Sequence, residues 1–450
     1  MDAIESEEEE ERQPLVLSTE KEQSSTCRKK ANFKRRRRID VCLALIVSAT
    51  LGLGSGVSYA LSYLIRPVQR ACPAWSPSST VYGFSGSMAV AVIFGVFVPS
   101  LSAKLSARTA VVAITLLSGL SYGLSGLGTQ LCQTAGVSPV ITEILYVVGL
   151  SATGLPIIWA YILCFQLLVQ LIPHRVGLAG STFSAGITVG AEIFGQLILA
   201  LIKIDGMTTA SIQFIVGIIV VLLYTVCIFL TPDKKVKSGA DSKSDVQGAS
   251  LREVMPFSLL IRRSASILTS FFVTVAVALA IGVVAHLALI LDALWNADAP
   301  PRAALAGFAF AFYLAGRLTW TVTSDCIGIK RLCLISVALQ GFIFGFLAWL
   351  SWKPSTDDWS RYLGEVMICL YLFICSVCKS HCMSLFYVML GKENEKNALR
   401  LSNIAGLGAI GGPLLIDAMY NTFKSYFQFY VMSSCLCLVS LIFVFAKPLT

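Results

Sequence analysis

Apolar residues gather along this chain in about a dozen stretches, each long enough to cross the roughly 30 Å hydrocarbon core of a bilayer as a helix of about 20 residues. The stretches fall at roughly 41–65, 79–102, 109–128, 140–170, 177–202 and 210–230, then at roughly 264–292, 303–323, 332–352, 362–390, 398–420 and 426–446. Two polar segments interrupt them. Residues 1–39 are acidic at first, with Glu7 to Glu11 in a run, and basic afterwards. Such charge blocks bury too little apolar surface to fold, so they predict a disordered cytoplasmic tail. Residues 231–262 divide the spans six and six. The pattern therefore predicts an all-α membrane protein: twelve transmembrane helices in two six-helix bundles, residues 40–230 and 263–450, joined by a cytoplasmic linker.

Composition sharpens this picture by exclusion. Of 450 residues, 56% are hydrophobic and 14% charged, which rules out a soluble enzyme. The sequence has no nucleotide-binding loop, metal-ligand spacing or nucleophile triad, so neither a cofactor nor a metal is expected. The net charge of +9 is concentrated in particular places. Arg28, Lys29, Lys30 and Lys34 to Arg38 crowd the tail, and Lys104, Arg108, Arg175, Lys330, Arg331, Lys392, Lys396 and Arg400 fall in alternate turns. Those turns and both termini are expected in the cytoplasm, since Lys and Arg are retained there. The arginine run is expected to lie against anionic lipid and not nucleic acid. Within the tail, Glu11-Arg12-Gln13-Pro14-Leu15-Val16 resembles an acidic dileucine signal read by sorting adaptors. The expected location is thus the plasma membrane or an endolysosomal membrane. Most of the fourteen cysteines lie inside spans as small apolar packing residues, Cys375, Cys378 and Cys382 among them. Cys72 and Cys132 fall in predicted external loops, where a disulfide between them is one alternative.

Two cations stand well inside apolar runs, where charge is costly and by default functional: Arg317 in span eight and Lys379 in span ten. A guanidinium stays charged at any depth and presents a planar fork that matches a carboxylate. Lysine loses its proton when desolvated, which could couple anion movement to a proton. By helix rise, Arg317 lies about 12 Å and Lys379 about 18 Å from the cytoplasmic ends of their spans, so both could face one cavity. Glu192, the deep acid of the first half, is either a proton acceptor or the counter-ion of Arg317. His286 and His381 are further titratable candidates for proton coupling. Tyr313, one turn before Arg317, and Tyr63 are candidate substrate contacts; the bland reading of each is packing.

Family resemblance narrows these readings. The turn from Gly316 to Arg331, with Asp325, Lys330 and Arg331, resembles the cytoplasmic gating motif of the major facilitator superfamily. Its counterpart after span two keeps Lys104 and Arg108 but has Ala103 where an acid is expected. Ser58-Tyr59-Ala60, the run Ile172-Pro173-His174-Arg175-Val176-Gly177-Leu178-Ala179-Gly180, Gly186, Gly190, Gly316-Arg317 and Gly411-Gly412-Pro413 resemble the oxalate/formate antiporter and monocarboxylate transporter branch. The resemblance implies a major facilitator fold and a secondary carrier working by rocker-switch alternating access, with Arg317 pairing a substrate carboxylate. Two departures limit it: span eleven lacks the antiporters' lysine, and Tyr63 stands where monocarboxylate carriers place one. Lys379 is the lysine that remains to take the second cationic role. The expected function is transport of small organic anions, monocarboxylates of the pyruvate or lactate type first, with proton symport or anion exchange. The alternatives are an oxalate/formate-type exchanger and a non-transporting sensor or receptor on a carrier fold.

Overall fold

The structure, a computed structural model, describes residues 38–446 apart from Pro77, Ala103, Ala135, His174 and segments 233–263, 296–301, 353–357 and 392–393. The tail with its sorting-like sequence and nearly all of the predicted linker lie outside the described residues. Among the described residues, twelve helical passages follow one another. In the first half they are α1 (Arg38–Ala60, prolonged by Leu61–Leu64 and Ile65–Ala71), α2 (Ser79–Gly95 and Val98–Ser102), α3 (Ala107–Cys132), α4 (Pro139–Leu171), α5 (Val176–Ile202) and α6 (Thr209–Leu230). In the second they are α7 (Ser264–Trp295), α8 (Arg302–Ile327), α9 (Ile329–Trp352), α10 (Asp358–Leu390), α11 (Glu395–Phe423) and α12 (Phe427–Ala446). Among the described residues, nine of these helices are long and apolar enough to cross a membrane on length and composition alone.

Caps and breakers explain where the helices start and bend. Ser106 caps α3 by accepting from the Thr109 N–H, and Thr208 caps α6 by accepting from that of Ser211. Gly328, at a φ of +90°, makes the one-residue corner between α8 and α9. Proline lacks the N–H that would close an i→i−4 bond, so α2 breaks just ahead of Pro99 and α4 just ahead of Pro156.

The two halves repeat one packing scheme. Contacts of α1 with α5, α2 with α4, α3 with α4 and α3 with α6 recur as α7 with α11, α8 with α10, α9 with α10 and α9 with α12. Small residues set the closest of these approaches. A Cβ on Gly186 or Gly190 of α5 would collide with the carbonyl oxygens of Ala49 and Leu53 on α1. One on Gly408 or Gly412 of α11 would strike those of Thr274 and Ala278 on α7. Two glycines four residues apart thus bring the backbones together at corresponding places in both halves. The halves meet where α2 packs on α11 and where α5 packs on α8 and α10.

The assembly has two distinguishable ends. One carries Lys104, Arg108, Arg331 and Arg400 and is called the basic end below. At the other, the C-terminal ends of α1 and α3 are joined by a disulfide between Cys72 and Cys132, with Cα atoms 6.0 Å apart. Beside it, Trp75 Nε1 donates to Thr142 Oγ1 at 3.1 Å.

Candidate functional site

Between the halves lies a cavity of about 140 Å³ walled by α1, α2, α4, α5, α7, α10 and α11. Most of its wall is apolar; the polar groups are Tyr59, Tyr161, Ser87, Ser184, Ser402 and Asn403. Tyr161 stacks on Phe183 with centroids 5.3 Å apart, and Tyr59 meets Phe84 edge-on at 5.6 Å. These ring pairs hold both phenols in place.

Arg317, on α8, does not line this cavity but lies within electrostatic reach of Tyr59 and Tyr161 on its wall. It is 0% exposed and the largest fully buried side chain described. The helix that carries it is pinned to α10 through one carbonyl. Gly316 leaves no Cβ to strike the Phe373 oxygen, and Trp320 Nε1 donates to that same oxygen at 2.8 Å. Arg317 Nη2 donates to the Tyr313 hydroxyl at 2.9 Å, and the guanidinium carbon lies 4.4 Å from the Tyr313 ring centroid. Nε and Nη1 have no hydrogen-bond partner among the described residues. Its charge acts across the wall on Tyr59 and Tyr161, and on His381 beside it. His381 is fully buried, and its Nε2 likewise finds no hydrogen-bond partner among the described residues. A guanidinium and an imidazole with open donor or acceptor positions are thus held next to a cavity lined by phenols.

The remaining predicted residues divide between those near this site and those elsewhere. Tyr313 is at Arg317, as its one-turn spacing implied. Lys379 lies on α10 two residues before His381, and its side chain is outside the described residues. Glu192 is not the counter-ion of Arg317. Gln196 Nε2 donates to its Oε1 at 2.9 Å, and it acts electrostatically on Tyr63. Tyr63 stands over Gly195 on the α1–α5 seam, away from the cavity wall. The cause is register: Glu192 points along that seam and not across the interface between halves. His286 turns Nδ1 to the Gly282 carbonyl at 3.2 Å and lines a smaller cavity of about 30 Å³ with Ser58, Thr80 and Phe84. Asp417 of α11 acts on it electrostatically. Sequence reading passed over Asp417, whose signal was an acid late in an apolar run.

At the basic end, Arg108 donates from Nε and Nη2 to the Thr231 carbonyl, each at 3.3 Å, which ties α3 to the end of α6. Lys104 and Arg331 are exposed, Lys330 is half-buried, and the Asp325 side chain is outside the described residues. Contacts across the halves at this end are made by residues outside the predicted gating motif. Asn403 Nδ2 donates to the Gly95 carbonyl at 2.7 Å. Arg400 donates to the Val96 carbonyl at 3.4 Å and to Ser100 Oγ at 3.3 Å. Ser384 Oγ donates to the Val176 carbonyl at 3.0 Å.

No protein-family model and no curated protein sequence matches this chain. Solved structures do match it in shape. A proton:xylose symporter, XylE, bound to 6-bromo-6-deoxy-D-glucose superposes with a TM-score of 0.68 at 14% identity, over 90% of this chain and 95% of that one. The E. coli fucose:proton symporter FucP gives 0.62 at 17% identity, over 91% and 98%. A bacterial homologue of the iron transporter ferroportin, in an outward-facing state, gives 0.64 at 13% identity, over 90% and 98%. Together with the repeated six-helix scheme, these superpositions establish that the chain has the fold of the major facilitator superfamily.

Proposed function

We propose that this protein is a secondary active carrier of small organic anions, monocarboxylates of the pyruvate or lactate type first, and that Arg317 is the carboxylate anchor. One observation carries the reading: among the described residues a fully buried guanidinium keeps Nε and Nη1 open, with a tyrosine hydroxyl as its hydrogen-bond partner. A buried charge without a counter-charge is strongly disfavoured, and within a membrane it marks a pathway. A carboxylate entering the cavity would complete the fork, and the neutralised pair could then cross between alternate openings of the two halves. Tyr59 and Tyr161, on the first half, are placed to meet the same anion from the opposite side.

The chemistry of the wall supports a short apolar acid over the cargoes named for the structural neighbours. Xylose and fucose carry hydroxyls around the whole ring, and each buried hydroxyl needs a partner. Six polar side chains in a largely apolar wall suit one charged head and an apolar remainder better. The cavity of about 140 Å³ also suits a molecule of a few heavy atoms. Proton coupling is assigned to the groups whose state an anion would alter: His381 beside Arg317, Lys379 on the same helix, and His286 with Glu192 on the more distant seams.

Orientation follows from two independent arguments. Lys and Arg gather at the basic end, which supports assigning it and both termini to the cytoplasm. The Cys72–Cys132 disulfide then faces an oxidising side, where such bonds persist. The site of residence is the plasma membrane or an endolysosomal membrane, the latter if Glu11 to Val16 engages a sorting adaptor. Purified protein in liposomes tests the reading. Uptake of labelled pyruvate, lactate, oxalate and formate, with and without a pH gradient, should show saturable monocarboxylate flux that responds to the gradient. Flux of xylose or fucose with no flux of any carboxylate would refute it.

A further inference from the structure

The contacts that hold the basic end closed depend on main-chain carbonyls that the sequence has left without helical donors. In a continuous helix, the carbonyl of Gly95 would accept from the N–H of residue 99, and that of Val96 from residue 100. Residue 99 is proline and has no N–H. The N–H of Ser100 bonds instead to the Phe97 carbonyl at 3.1 Å, because the chain restarts as the short helix Val98–Ser102. Two adjacent acceptors are thus released on the side of α2 that faces the other half.

Side chains of α11 take both positions. Asn403 donates to Gly95 at 2.7 Å and Arg400 to Val96 at 3.4 Å, with a further bond to Ser100 Oγ at 3.3 Å. Gly95 is required for this approach: a Cβ there would lie 2.7 Å from Asn403 Cγ and displace the amide. Asn403 is 4% exposed and is also part of the cavity wall, so one amide belongs to both the floor of the cavity and the contact between halves.

We propose that the gate at the basic end is this pair of carbonyls, freed by Pro99 and gripped by Asn403 and Arg400. Asn403 is the positioning residue that links the gate to whatever occupies the cavity. The proposal rests on the reading of the chain as an alternating-access carrier. It differs from a latch of oppositely charged side chains, because the acceptors are backbone atoms and no acid is needed. The replacement of the expected acid by Ala103 after α2 therefore leaves this gate intact. An occupant that accepts a hydrogen bond competes with Gly95 for the Asn403 amide, which loosens the floor only when the cavity is filled.

A native thiol reports on the gate. Cys382 lines the same cavity as Asn403 and is 8% exposed. Full-length protein in sealed vesicles of either orientation is treated with a charged, membrane-impermeant methanethiosulfonate, and modification of Cys382 is followed by peptide mass spectrometry. From the basic end, wild-type protein should react slowly. Asn403→Ala, Arg400→Ala and Pro99→Ala should each accelerate modification by roughly three- to tenfold, the range that loss of one hydrogen bond allows. Pro99→Ala touches neither α11 side chain, and it returns a helical donor to Gly95, so its effect separates the carbonyl mechanism from general loosening. Asn403→Ala should also change the KM for the transported anion by more than Arg400→Ala and Pro99→Ala do, because Asn403 alone of the three lines the cavity. Unaltered rates in Arg400→Ala and Pro99→Ala, or acceleration confined to reagent added at the disulfide end, would overturn the gate. These rates are read without added substrate, so they stand apart from failure of the anion assignment, which the uptake panel reports.

Discussion

In the first half of the molecule, buried polar side chains mostly find one another. Ser55 Oγ and the Tyr224 hydroxyl lie 2.9 Å apart, Thr80 and Tyr146 3.0 Å, and Thr129 donates to Gln213 at 3.1 Å. Trp159 Nε1 reaches Ser102 at 3.1 Å, which fastens α4 to the lower part of α2. The groups left open there among the described residues are chiefly hydroxyls and amides, such as Ser48, Ser85 and Gln166, with Glu192 Oε2 the one carboxylate oxygen. The second half repeats the same helix contacts and the same glycine-spaced seam, yet among the described residues it leaves open two guanidinium nitrogens of Arg317 and the Nε2 atoms of His286 and His381. A neutral hydroxyl can turn back to its own helix, as Thr115 does to the Val111 carbonyl at 2.8 Å. A guanidinium cannot satisfy five donors that way. The first half's one open carboxylate oxygen belongs to the partly exposed Glu192, whereas the second half holds a fully buried, incompletely satisfied cation, which is why substrate chemistry is assigned to the second.

That contrast can be broken most sharply through stability. Arg317→Met should abolish anion transport and at the same time stabilise the fold by about 1–4 kcal/mol, because it removes an uncompensated buried charge. Thermal unfolding of the purified variants is the measurement, with Tyr224→Phe as the first-half control. That control should lose about 0.5–1.5 kcal/mol, since it gives up the bonds to Ser55 and the Leu51 carbonyl. A less stable Arg317→Met would mean that the arginine is structurally satisfied.

The seams should respond alike in both halves. Gly190→Ala and Gly412→Ala each place a Cβ against a backbone oxygen and should cost about 1–3 kcal/mol by the same unfolding assay. An effect in only one half would show that the repeat of the packing scheme is superficial. Tyr313→Phe removes the one hydroxyl that Nη2 reaches while keeping the ring under the guanidinium. It should raise the KM for the anion three- to tenfold and leave unfolding nearly unchanged. The smallest effect is expected at Glu192→Gln. With its carboxylate on Gln196 and near Tyr63, anion affinity should shift less than twofold. A large loss of affinity would return Glu192 to the arginine.

Much of this was legible before any coordinates. The spans read from apolar runs coincide closely with the helices, because about twenty apolar residues without a breaker have few other solutions in a bilayer. Arg317 stood out for the same reason: charge in such a run is conspicuous. That Tyr313 shares its face of the helix followed from the one-turn spacing, though the spacing pointed to a substrate contact and not to the bond between the two side chains. What could not be read was which seam each deep polar group faces. Glu192 and Arg317 look like a pair on charge and depth, but helix rotation sends the acid to α1. Similarly, Asn403 and Gly95 are separated by most of the chain, and neither is unusual in a membrane helix. Only Pro99 offered a clue, since a proline inside a span announces a carbonyl in need of another donor. Asp417 was obscured because an acid near a helix end reads as interfacial, and only its approach to His286 makes it notable.

The most direct measurement of the central claim is equilibrium binding of a radiolabelled monocarboxylate, such as pyruvate, to purified protein, compared between wild type and Arg317→Lys. Lysine keeps the charge but loses the planar fork, so the account predicts saturable binding to wild type and at least about tenfold weaker binding to the variant. Equal binding to both proteins would contradict it.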